Sequence, residues 1–110
     1  MASAAQQNRT VQQIPMPPEV DQAIKTLVAN GTHETMADLY DHAITWFWKS
    51  RAKKTFNFYL ASNKRGKYKT LWIDSKILDR VRVIAARDDT SISRVIYTAI
   101  VLYLEDKGLF

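Results

Sequence analysis

The sequence predicts a mainly α-helical chain in which two short strands each lead into a pair of helices, in the order β-α-α-linker-β-α-α. Three observations predict it. Residues 67–73, KYKTLWI, hold two aromatics with Leu71 and Ile73 and no Gly or Pro, the composition of a strand. Four other stretches carry apolar residues at the 3–4 spacing of one helical face. The two halves of the chain then repeat the same order of elements.

Residues 1–8, MASAAQQN, are small and polar without a period, and read as a disordered tail. Arg9 to Met16 read as the first strand, closed by Pro15 and Pro17. Pro17 and Pro18 suit the first turn of a helix, with Glu19 at its positive end. Val20, Ile24, Leu27 and Val28 form its apolar face, and Asn30-Gly31 stops it. Thr32 or Thr35 caps the next helix; Asp38, three residues after Thr35, makes a capping-box pattern. Its apolar face is Met36, Leu39, Tyr40, Ala43, Ile44 and Phe47, and the first unit is taken as residues 9–48.

Residues 49–66 read as a basic linker, and residues 67–110 as the second unit. A strand over 67–73 is followed by a helix capped by Asp74 or Ser75, with Ile77, Val81, Ile84 and Ala85 on its apolar face. Asp88-Asp89 makes a turn. Ser91 caps the last helix, whose face is Ile92, Val95, Ile96, Ala99, Ile100 and Tyr103. At an offset of 57 residues Ile14 meets Leu71, Met16 meets Ile73, Val20 meets Ile77 and Ile24 meets Val81. At 56 residues Met36 meets Ile92, Leu39 meets Val95, Ala43 meets Ala99 and Phe47 meets Tyr103. One extra residue in the first helix–helix turn accounts for the change.

The 110 residues suffice for one small domain, so the two units are expected to share a core. There is no cysteine, which excludes disulfides and thiolate metal sites. His33 and His42 lack metal-ligand spacing, and no metal or cofactor is expected. The apolar run Ala99 to Leu104 is far too short to span a bilayer. No signal peptide opens the chain, so a cytoplasmic protein without membrane partners is expected.

Charge is unevenly placed. Lys49 to Lys69 hold eight basic residues and no acidic one, while the rest of the chain has eight Lys/Arg against eleven Asp/Glu. A local basic cluster attracts phosphate backbones or anionic surfaces, and also occurs as a solvated linker. Phe56, Phe58, Tyr59 and Tyr68 lie among these charges and could stack on bases or pack the linker down.

The segment TLWIDSKILDRVRVIAARDDTSISRVIYTAI resembles the ribbon-helix-helix family, the MetJ/Arc-type DNA-binding proteins. It has a strand, an L-D-x-V helix, a short polar turn, and S-x-S-x-x-I-Y opening the last helix. The resemblance covers about Tyr68 to Leu104, and extends to Thr10–Trp48 through P-P-E-V and G-T-x-E-T. Two departures stand out: Asp89 replaces the usual Gly of the inter-helix turn, and Pro15 falls inside the first strand. In this family two units interlock and their strands pair as an antiparallel ribbon that fits the major groove. The resemblance therefore implies that Arg9–Ile14 pairs with Lys67–Ile73 of the same chain. The organisation of two units on one chain is similar to that of TraY-like accessory proteins of conjugative-plasmid relaxosomes.

The family's register places Leu71, Ile73, Ile14 and Met16 inward. It leaves Arg9, Val11, Gln13, Tyr68, Thr70 and Trp72 outward as the implied base-contacting set. Arg suits guanine, Gln suits adenine, and Thr and Val suit a thymine methyl. Trp72 and Tyr68 could equally pack against the linker. The resemblance also implies phosphate binding at the second helix of each unit, through Ser91, Ile92 and Ser93 in one and Thr32 to Thr35 in the other. Glu34 opposes the latter, and Ser91 serves equally as a simple cap. Arg94, Lys53, Lys54, Lys67 and Lys69 complete the expected phosphate contacts.

No nucleophile–His–acid set, Gly-rich phosphate loop or paired carboxylate suggests an enzyme. Three functions stay open. The first is sequence-specific duplex DNA binding, in transcriptional repression, as an antitoxin, or at a plasmid transfer origin, with further oligomerisation on adjacent sites. The second is a protein-interaction adaptor presenting Trp46, Trp48 and Trp72. The third is RNA binding by Lys49–Lys69.

Overall fold

The computed structural model describes residues 9–50 and 67–109. Within them lie β1 (Arg9–Met16), α1 (Pro18–Ala29), α2 (Met36–Ser50), β2 (Lys67–Asp74), α3 (Ser75–Arg87) and α4 (Ile92–Asp106). The chain is thus mainly helical, with one two-stranded antiparallel sheet and four helices. The expected linker, including Lys53 and Lys54, lies outside the described residues for all but Lys49 and Ser50.

β1 and β2 pair along their whole length, with Gln13 opposite Thr70, Val11 opposite Trp72 and Pro15 opposite Tyr68. This pairing gives the backbone groups on one edge of residues 67–73 their partners. Side chains alternate across the sheet, so one face carries Ile14, Met16, Leu71 and Ile73, all buried. The other carries Val11, Gln13, Tyr68, Thr70 and Trp72, all exposed. Pro15 sits one residue from the end of β1, where a missing N–H costs least.

The four helices close over the inner face of this ribbon. Val20, Ala23, Ile24 and Leu27 of α1 and Leu39, Tyr40, Ala43, Ile44 and Phe47 of α2 join a single core with residues of α3 and α4. Each fully buried Leu or Ile contributes roughly 1.5–3 kcal/mol. Two details differ from the periodic reading. In α3 Leu78 is fully buried and Ile77 only partly, so the stripe enters the core one residue later than expected. α4 is buried continuously from Thr98 to Leu104 rather than on one face, as suits a helix apolar all round.

Caps fix the helix starts. Asp74 rather than Ser75 caps α3, its Oδ1 accepting from the amides of Lys76 at 2.9 Å and Ile77 at 3.2 Å. Ser91 caps α4, accepting from the Arg94 amide at 3.2 Å. Thr35 rather than Thr32 caps α2, accepting from the Asp38 amide at 3.0 Å. α1, α3 and α4 end alike, each with a left-handed residue after the cap: Gly31 (φ 84°), Asp89 (φ 51°) and Gly108 (φ 78°). Asp89 performs the turn that glycine ordinarily makes, with the Thr90 amide donating back to the Ala85 carbonyl at 2.9 Å.

Candidate functional site

The outer face of the ribbon is the most distinctive surface of the molecule. Among the described residues the exposed large hydrophobics are Val11 (40%), Tyr68 (62%), Trp72 (44%) and Val83 (57%). Three of these four lie on this one face, and only Val83 stands apart, on α3. Gln13 and Thr70 sit side by side between them. Trp72 and Tyr68 therefore point out from the strand.

Two expected contacts are engaged elsewhere. Arg9 was expected outward, but its guanidinium turns back. It pairs with Asp41 of α2 at 2.7 Å, donates to the Trp72 carbonyl at 3.2 Å, and its side chain is only 18% exposed. Lys69 has the strand parity of the buried Leu71, and its ammonium pairs with Asp21 of α1. Lys67, at the end of β2, is exposed.

Asp41 is a residue the sequence reading passed over. One carboxylate oxygen takes Arg9, and the other accepts from the Asp74 amide at 3.0 Å. It so ties the start of β1 to the junction of β2 and α3. The Thr10 and Ser75 hydroxyls, 2.9 Å apart, tie the same two places. Burial pushes the Asp41 carboxyl up, and the Arg9 and Asp74 contacts offset this only in part. At Asp21, burial would also raise the carboxyl, but Lys69 and Lys25 outweigh it and hold it below the usual range. Only the Asp21–Lys25 pair, four residues apart on α1, is local; Arg9 and Lys69 are remote in sequence from the acids they meet.

At the start of α4 the Ile92 and Ser93 amides have no acceptor within a helix. Ser91 and Arg94 are exposed there, and Ile92 and Ser93 are half-buried. At the start of α2 the surroundings differ. Thr32 is bound through amide and hydroxyl to the Asn30 side chain and lies outside the helix. His33 is 5% exposed, with its ring nitrogens 3.3 Å from Asp38 Oδ2 and 2.9 Å from the Tyr103 hydroxyl. The capping box is thus half made, since the Asp38 carboxylate faces His33. The His33 and His42 ring centroids are 5.1 Å apart, yet no group of three or more potential ligands gathers among the described residues.

Trp46 and Trp48 do not project as the adaptor reading expects. Both are half-buried against the core. The Trp46 ring meets Tyr103 edge-on at 5.7 Å, and Arg80 lies 5.9 Å above the Trp48 ring. No helix among the described residues is long and apolar enough to cross a membrane. No family model, curated protein or solved structure matches the chain.

Proposed function

We propose that the chain is a single-chain, two-unit ribbon-helix-helix protein that binds double-stranded DNA by laying β1 and β2 in the major groove. The observation that carries this reading is the ribbon itself. Its inner face is buried, while Val11, Gln13, Tyr68, Thr70 and Trp72 are exposed on the outer one. A two-stranded ribbon is narrow enough to enter the major groove, where base edges differ most. The basic residues of 49–69 supply attraction to phosphate. The free amides at the start of α4 suit one phosphate. Because the two strands differ in every outward residue, the target is a non-palindromic site. Such a protein serves as a transcriptional regulator or a plasmid-transfer accessory.

One observation favours a second reading. Tyr68 and Trp72 are exposed aromatics on one face, which suits docking of a protein partner. Titration of random-sequence duplex DNA and single-stranded RNA at several salt concentrations separates these. Duplex binding should be tighter, with log K falling by about 0.9 per phosphate neutralised for each tenfold rise in salt. Changing Lys53 and Lys54 to Gln should weaken all duplexes alike and flatten that slope by up to roughly two units. Tighter binding to RNA, or no binding to duplex at any salt, would refute the proposal.

A further inference from the structure

We infer that the duplex taken by this face has an A·T-rich core, read through thymine methyl groups around a central adenine; the inference rests on the groove-binding reading above. The outward side chains have a simple layout. Gln13 and Thr70 face each other at the centre; Val11 and Trp72 form one end, Pro15 and Tyr68 the other. Polar reading groups are therefore central, and apolar surface lies at all four corners.

Each part of this layout selects a base. Gln presents a donor and an acceptor that match adenine N6 and N7, and a threonine hydroxyl accepts or donates to either edge. In the major groove the apolar group offered by a base is the thymine methyl; guanine, cytosine and adenine present none. The usual reader of guanine is a free Arg or Lys. On this face the candidate was Arg9, which Asp41 and the Trp72 carbonyl hold. Lys69 is held by Asp21 on the opposite face. A cytosine amino group calls for a carboxylate, and the acid at this parity, Asp74, is committed to capping α3. Lys67, at the strand end opposite Met16, has the parity of the buried face; what remains among the described outward residues is matched to A·T pairs.

Dimensions set the size of the core. Outward residues recur every second position, so Val11 to Pro15 spans four rises, about 13 Å. That equals roughly four base steps at about 3.4 Å each. A core of about five base pairs is covered.

The test starts from the unmodified full chain. Duplexes are selected from a random pool, and the tightest is remade with each thymine in turn replaced by deoxyuridine, which removes the methyl group and keeps base pairing. The selected core should be A·T-rich. Deoxyuridine at a contacted position should weaken binding about fourfold, as expected for losing one buried methyl. 7-Deazaadenine at the central position should weaken it about fivefold or more, and Gln13→Ala should abolish that difference. A G·C-rich selected core, or equal binding of thymine and deoxyuridine duplexes at every position, would overturn the inference while leaving duplex recognition intact. Absence of any duplex binding would overturn both.

Discussion

Asp41 and Asp21 are both half-buried acids with cationic partners, yet the environment moves them in opposite directions. Asp21 is held below its ordinary range by Lys69 and Lys25 despite burial. Its folded value lies below its unfolded one, so its stabilisation is present above about pH 4 and is lost as pH falls through the folded value. Asp41 is raised, chiefly by burial. The folded state then binds its proton more tightly, so its contribution is full below about pH 4 and is lost as pH rises through the folded value. Urea denaturation across pH 3–7 should therefore show Asp21→Asn with a shallower acid loss than wild type. Asp41→Asn should show a smaller decline on the rising side. Identical pH profiles for wild type and both variants would contradict these assignments.

Ser91 has one role in the structure, and the proposed function gives it a second. Its hydroxyl caps α4, and replacing such a cap by alanine costs about 1 kcal/mol. The Ser91→Ala variant should melt at a lower temperature and also bind duplex less tightly. Lowered stability with unchanged affinity would leave the cap as its whole role.

At the level of elements, side-chain parity divides the ribbon into a buried face and an exposed one. Leu71 is fully buried and Trp72, its neighbour, is exposed. Leu71→Ala should cost about 2–5 kcal/mol. Trp72→Ala should cost at most about 1 kcal/mol, the worth of its cross-strand contact with Val11. Chemical denaturation of the two variants measures this contrast, and comparable losses would mean that Trp72 also carries the fold. Strand alternation is strict, and the family resemblance implied which parity faces inward. The period of 3.6 was less decisive at the start of α3, where Ile77–Val81–Ile84 and Leu78–Val81–Ala85 are both helical stripes. Which of the two enters the core depends on how α3 crosses its neighbours. The same limit applies to Trp46, whose neighbour Tyr103 lies on α4. Arg9 had the parity of a reader; its capture by Asp41 is a tertiary event without a local trace.

For the whole molecule, one chain supplies both strands of the sheet. A pair of identical strands would present identical ends, whereas Val11, Gln13 and Pro15 face Trp72, Thr70 and Tyr68. The asymmetry is thus built into the covalent structure, together with a basic segment between the halves. On the proposed reading the basic residues supply affinity, and the alternating strand residues supply discrimination. The most direct measurement of this account is binding of wild type, Gln13→Ala and Thr70→Ala to a selected duplex and to random duplexes at matched salt. The account predicts that a variant losing a good base contact weakens on the selected duplex by about 1–3 kcal/mol and hardly at all on random DNA. Variants indistinguishable from wild type on every duplex would contradict it.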